Sequence, residues 1–338
     1  MKKLLSLGID TVRICVHATP QEIRELLRPC HRFGTSDNLV EHPDLPYARL
    51  FRNVRNPQYV SIEFSIPMVA RGHRDNTELA TPAEVSRALQ VLEKLTGLDI
   101  RGGTLVRIDL TLCFESEGLP MEYSDLFQSH KSFKPQLGVK NGCLIKTSNF
   151  GLTLYDKGIE QFAKGVSSCI PQNHTRIELR IPVRAAQQIR KVTKFYRADY
   201  GEFSANSLTT NEGFLACLRC FEKVATKNLR LDELANSQLK TFATGNALFK
   251  HIALRVADTQ FELCDELVMK TREMDRCPPN IVETVINELL AARGMATRVR
   301  HAVEVQNAMR EAITDLERRF PVKIPTKHLK MGEEVDSR

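Results

Sequence analysis

The sequence predicts an α+β fold: two related antiparallel-sheet halves with helices on one face, followed by an all-helical C-terminal domain. Three observations predict it. Leu105-Val-Arg-Ile-Asp-Leu-Thr-Leu112, Gly151-Leu-Thr-Leu-Tyr-Asp-Lys-Gly-Ile-Glu160 and Thr175-Arg-Ile-Glu-Leu-Arg-Ile-Pro182 alternate apolar and polar residues, as half-buried strands do. Short segments of the first hundred residues recur in the second hundred. After about residue 205, alternation gives way to apolar residues at three-to-four spacing, the period of amphipathic helices. The resulting boundaries are 1–204 for the sheet region (halves about 1–100 and 101–204), 205–320 for the helical domain and 321–338 for a mobile tail.

Each element has a local cause. Thr11-Val-Arg-Ile-Cys-Val-His17 reads as a strand followed by a helix over Gln21–Leu27. Tyr47–Val54 and Tyr59–Ile66 form a hairpin about Arg55-Asn-Pro-Gln58, where the Asn-Pro pair favours a turn. Thr81-Pro-Ala-Glu84 supplies an N-cap, a proline at the first helical position and a capping-box glutamate. The helix it starts runs to Leu95 and stops at Gly97. In the second half, the Leu105–Leu112 strand, a helix over Glu122–Phe127, a Cys143–Lys146/Leu152–Asp156 hairpin and the Thr175–Pro182 strand repeat that plan. Leu105-Val-Arg-Ile parallels Thr11-Val-Arg-Ile, and Thr175–Pro182 parallels Val60-Ser-Ile-Glu-Phe-Ser-Ile-Pro67. The offsets differ, so the second copy carries about 21 extra residues, in loops that tolerate insertion. Phe214–Val224, Leu248–Val256, Phe261–Lys270, Ile281–Ala292 and Thr297–Phe320 are the expected C-terminal helices. The last is charged enough to be solvated or partner-binding, with DNA recognition as its alternative.

Composition narrows the class. A chain of 338 residues, 42% hydrophobic, can bury one large core or two ordinary ones. A net charge of +7 favours a polyanionic partner without requiring one. Asp10 and Arg13 interrupt the apolar start before it reaches the length of a signal peptide, and no run of about 18 apolar residues suggests a membrane span. Nine scattered cysteines read as reduced thiols in a cytoplasm, and Cys217-Leu-Arg-Cys220 reads as buried thiols rather than zinc ligands. Walker A, dinucleotide, H-E-x-x-H, G-x-S-x-G and H-x-H patterns are all absent.

The polar sides of the three strands carry Arg107 and Asp109, then Tyr155 and Lys157, then His174, Arg176, Glu178 and Arg180. If the strands are neighbours, these groups share one surface suited to cutting a phosphodiester with a tyrosine. A phenol is mostly protonated at neutral pH, and Lys157, two residues along the same strand face, would favour the phenolate of Tyr155. Asp109 and Glu178 would hold Mg²⁺ or Mn²⁺ through hard oxygen ligands, with His174 as an added ligand or phosphate contact. Their alternative role is salt bridging to Arg107, Arg176 and Arg180. Tyr196 and Tyr200, four apart on a helix amid Arg190, Lys191, Lys194 and Arg197, are alternative nucleophiles or a simple packing pair. Arg107, Arg176, Arg180 and the Arg184–Arg197 cluster would hold the DNA backbone. His73, in Arg71-Gly-His-Arg74, is a further phosphate contact or a plain loop residue.

In order along the chain, Ile9-Asp-Thr-Val-Arg13, Ile62-Glu-Phe-Ser-Ile-Pro67 with Gly72-His73, Arg107-Ile-Asp109, Tyr155-x-Lys157-x-x-Glu160 and Arg176-x-Glu178 resemble the filamentous-phage gene II/gene X family of rolling-circle replication initiators. The resemblance covers about residues 8–185. It implies a metal-dependent nickase and strand-transferase that cuts one strand of a phage origin through a phosphotyrosine, with Tyr155 as nucleophile. It also implies origin DNA, double- and single-stranded, and a host replication helicase as partners in the bacterial cytoplasm; the lack of a long apolar run speaks against a membrane partner. The chain is similar, too, to the trans-acting initiators of rolling-circle plasmids, whose nicking tyrosine follows the R-x-E-L strand. Here the stretch Pro182–Arg190 has none, and the first is Tyr196. A DNA-binding regulator that keeps the fold without the chemistry is the reading of a different class, and a structural or virion protein is a third.

Overall fold

The computed structural model describes residues 5–32, 39–74, 76–128, 136–139, 142–147, 149–166, 173–182, 184–193, 203–229, 231 and 279–321. The N-terminal region builds one antiparallel sheet. Its strands are β1 (Leu5–His17), β2 (His31–Arg32), β3 (Leu39–Glu41), β4 (Ala48–Arg52), β5 (Tyr59–Ser65), β6 (Thr104–Glu115), β7 (Gln136–Val139), β8 (Gly142–Lys146), β9 (Gly151–Asp156) and β10 (His174–Ile181). Their order is β2-β3-β4-β5-β1-β6-β10-β9-β8-β7. Five strands from the first hundred residues thus lie to one side of the β1/β6 pair boundary, and five from the second hundred to the other.

The described α-helices are α1 (Pro20–Leu27), α2 (Ile66–Arg71), α3 (Pro82–Thr96), α4 (Ser124–Gln128), α5 (Lys157–Ala163), α6 (Ala185–Thr193), α7 (Asn211–Asn228) and α8 (Pro279–Arg319), with short 3-10 turns over Pro120–Tyr123 and Ala205–Thr209. The start of α3 is the capping box anticipated at Thr81 and Glu84, and its end is Gly97 at φ 71°, a left-handed position suited to glycine. Where two C-terminal helices were expected over 281–320, one continuous helix stands. Gly294 lies inside it, and an interior glycine costs a helix only about 1 kcal/mol, too little to break it against tertiary packing. The segments expected to be helical over 248–256 and 261–270 lie outside the described residues.

Alternation assigns the two faces. Val12, Ile14, Ile62, Phe64, Ile108, Leu110, Leu112, Ile177, Leu179, Leu152 and Leu154 are buried and belong to one hydrophobic core. Helices α6 and α7 pack on β6, and α7 and α8 approach β1. Ala302, Val305, Met309, Ile313 and Leu316 of α8 join that same core, so the described C-terminal helices share it with the sheet. No described helix is long and apolar enough to cross a membrane.

One irregularity positions the site. On β1, Ile9 pairs with Leu110 and Thr11 with Asp109, so Asp10 is an extra residue bulged out of the β1/β6 ladder. A bulge breaks alternation and re-aims a side chain, and here it turns a carboxylate onto the polar face.

Candidate functional site

The register brings the three motif strands side by side as β6, β10 and β9. Asp109 stands opposite Arg180, Thr111 opposite Glu178, and Arg176 opposite Tyr155. Arg107 forks onto Asp109, Nε to Oδ1 at 2.9 Å and Nη2 to Oδ2 at 2.5 Å, while its Nη1 donates to Glu63 Oε2 at 2.6 Å. Arg13 reaches the same Glu63 oxygen, at 2.6 Å from Nη2. Arg180 bridges Asp109 Oδ2 at 3.2 Å and Glu178 Oε1 at 2.9 Å. The Tyr155 hydroxyl donates to Glu178 Oε2 at 3.3 Å. Arg176 then links Tyr155 Oη (3.4 Å), Asp10 Oδ2 (3.2 Å) and the Asn76 carbonyl (2.7 Å). Asp10 also accepts from Asn76 Nδ2 and from the Ser65 hydroxyl.

Burial sets the electrostatics. It pushes the Asp109 carboxyl up to about 6 against the pull of Arg107 and Arg180, with Glu178 adding to the rise. Burial likewise holds the Tyr155 phenol well above its usual range. Arg176 opposes that shift, and Glu178, Glu160 and Asp10 reinforce it.

Several expected placements differ. Lys157 does not share a strand face with Tyr155, because β9 ends at Asp156, whose side chain caps α5 by accepting from the Ile159 amide. The ammonium, fully buried, donates to Asn76 Oδ1 at 2.8 Å and Glu160 Oε2 at 2.5 Å, and the cation at the phenol is Arg176. Tyr155 itself is 1% exposed and is held between Glu178 and Arg176. His174 shares the face of Glu178 but pairs across with Glu115. Four strand residues, about 13 Å, separate it from Glu178, too far to share one ion. Arg176 is fully buried and cannot touch a DNA phosphate. Arg107 is largely buried between Glu63 and Asp109, whereas the Arg180 side chain is 42% exposed. Arg184 and Lys191 are exposed and Arg190 half-buried, at the start of and along α6. That helix packs on α7 and β6, in the helical layer. His73 is exposed beyond α2. Lys194, Tyr196, Arg197 and Tyr200 lie outside the described residues.

Asp109 and Glu178 offer the hard oxygens a divalent cation prefers, and the Thr111 hydroxyl, buried beside them with no hydrogen-bond partner among the described residues, is a third oxygen-bearing group. Those three residues would hold such an ion, whose chemistry is to neutralise non-bridging phosphate oxygens. Arg180 now spans the two carboxylates, so the guanidinium and a cation are alternatives there. Among the described residues, no group of three or more His, Cys, Asp or Glu side chains is gathered for a metal.

Asp10 and Asn76 belong to the site although no catalytic or binding motif marks them. Asp10 breaks the alternation between Ile9 and Val12, which is the trace a bulge leaves; Asn76 sits in a loop with no periodicity to mark it. The chain matches no protein-family model and no curated relative.

Proposed function

We propose that the polar sheet face is the seat of a phosphodiester transferase acting on DNA. More narrowly, we read the chain as a rolling-circle replication initiator that nicks and rejoins one strand through a phosphotyrosine. The observation carrying this reading is the unbroken run of Glu63, Arg13, Arg107, Asp109, Arg180, Glu178, Tyr155, Arg176 and Asp10 across five strands, with the Arg180 guanidinium exposed at its surface. In that reading Arg180 swings from its carboxylates to a phosphate. Glu178 Oε1 and the Thr111 hydroxyl, with the remaining lone pairs of the Arg107-held Asp109, would then face Mg²⁺ or Mn²⁺.

A wholly enclosed phenol that donates to a carboxylate is a poor nucleophile, so we assign Tyr155 to positioning Glu178 and Arg176. The attack goes to Tyr196 or Tyr200, which follow the strand and helix bearing Glu178 and Arg190. The phenol gives up its proton, its oxygen bonds to phosphorus in line, and the P–O bond to one deoxyribose breaks, leaving a hydroxyl. Reversal rejoins the strand. Backbone contacts through Arg180 would make binding fall with salt.

The mirrored strand order supports reading 1–204 as a duplication, though not residue for residue. Arg13 faces Glu63, whereas Glu178 faces Thr111, four residues beyond Arg107. A regulator without chemistry is the second reading, favoured by the engagement of Glu63, Asp109 and Glu178 by guanidinium groups.

The test is incubation of the full chain with supercoiled DNA of its own replicon and Mg²⁺ or Mn²⁺, scored for a nicked product and a covalent adduct. Tyr155→Phe should keep the adduct, and the Tyr196→Phe/Tyr200→Phe double variant should lose it. The opposite pattern returns the nucleophile to Tyr155. DNA left closed by the wild type decides for the regulator.

A further inference from the structure

Beside the guanidinium–carboxylate run, a cavity of about 490 Å³ opens between β4, β5, the turn before β4 and α2. Its volume falls within the range of about 300–1,000 Å³ that small-ligand sites occupy, room for one flat ring and its sugar but not for a base pair. Pro46, Met68 and the half-buried Tyr47 supply apolar wall, and Thr11, Arg49 and Glu63 supply polar groups. Tyr47 is held at its far end, its hydroxyl donating to the Gly72 carbonyl at 3.3 Å, which fixes the ring without using its face. Arg49 is exposed and stands opposite Glu63 in the β4/β5 ladder.

Glu63 connects this cavity to the run. Arg13 and Arg107 both engage its Oε2, and among the described residues no hydrogen bond falls on its Oε1. A carboxylate oxygen with spare acceptor capacity, in a cavity with an aromatic wall and an exposed guanidinium, matches what an unstacked nucleobase presents. Such a base offers a π-face, exocyclic amino hydrogens and an attached phosphate. The Arg107 guanidinium joins Glu63 of this cavity to Asp109, so a strand whose base entered it would pass its backbone over the run.

We propose that this cavity is a subsite for one unstacked base of single-stranded DNA: Tyr47 stacks on the ring, Glu63 Oε1 accepts from its amino group, and Arg49 meets the adjoining phosphate. The proposal rests on the nucleic-acid reading above and makes it specific, since a duplex could not fill the subsite without opening.

The experiment measures fluorescence anisotropy of the full chain with labelled single strands of mixed sequence, and with strands of equal length whose bases are all replaced by abasic sites. The wild type should prefer the base-bearing strand. Tyr47→Ala should weaken that strand about tenfold while leaving the abasic strand unchanged, and Tyr47→Phe, which keeps the stacking surface, should restore the preference. Circular dichroism and thermal melting of each variant establish that it folds; Tyr47→Phe carries the test if Tyr47→Ala does not. Equal binding of both strands by the wild type, equal losses in Tyr47→Ala, or a preference lost in Tyr47→Phe would overturn the subsite. A base preference in a protein that forms no adduct keeps the subsite and removes the nickase; an adduct without base preference does the reverse.

Discussion

At position 157 the chain leaves β9 and buries an ammonium against Asn76, with Glu160 as its counter-charge. Burial pushes the Lys157 amine down from 10.5 to about 8, with Arg176 pushing the same way and Glu160 resisting. Burial pushes the Glu160 carboxyl up, but Lys157 and Lys164 outweigh it and hold that group at about 2. The sign follows from which state holds the proton. Between pH about 8 and 10.5 the unfolded chain keeps the Lys157 proton that the folded chain has released, so stability from this residue rises with pH through that window. The wild type should therefore gain on Lys157→Met by at most about 3 kcal/mol from pH 8 to 10.5, read by urea denaturation at each pH. A difference flat with pH would refute it. Nothing in the alternation of Gly151–Asp156 marks where the strand stops. Asp156 serves equally as a strand residue or an N-cap, which is why Lys157 was placed beside Tyr155 by sequence and beside Asn76 by the fold.

The elements were more legible than the single residues. Period-two alternation of apolar and polar residues located β1, β5, β6, β9 and β10; burial follows it in β5 and the second half of β1, whereas in β6, β9 and β10 the polar face is largely buried too. Their adjacency was not legible, since pairing depends on partners distant in sequence. The bulge at Asp10 is the clearest case. A single extra residue in β1 brings a carboxylate to Arg176, which lies fully buried against Tyr155, Asn76 and Cys113. Removing one member of a buried ion pair strands the other, whereas replacing both by apolar groups is often neutral. Asp10→Ala should accordingly cost about 3–5 kcal/mol in denaturant unfolding, and Asp10→Ala with Arg176→Met much less than the sum of the two single variants. Additive losses would mean that the bulge does not serve this pair.

At the scale of the whole molecule, the question is whether the C-terminal helices fold with the sheet or apart from it. Amphipathic spacing in 297–320 identified an apolar stripe but could not say what it covers, and a separate helical domain was the expectation. The α8 stripe enters the core shared with β1 and β6, and polar contacts fix its position. His301 stacks on Tyr123 with ring centroids 4.2 Å apart and meets Asp125 at 3.2 Å, Glu304 receives the Tyr123 hydroxyl, and Glu317 pairs with Arg219 of α7 at 2.5 Å. A helix so bound unfolds with its partners. Ile313, 2% exposed, is a clean probe, since a buried Ile→Ala change costs about 2–5 kcal/mol wherever the cavity lies. In a shared core that loss must lower the protection of strand amides as well as helical ones, because the global unfolding that exposes β1 and β6 becomes easier by the same amount. Hydrogen exchange followed by mass spectrometry on Ile313→Ala should thus show faster exchange in both α8 and the central strands. If β1 and β6 keep wild-type protection while α8 alone exchanges faster, the helix belongs to a unit that folds independently of the site.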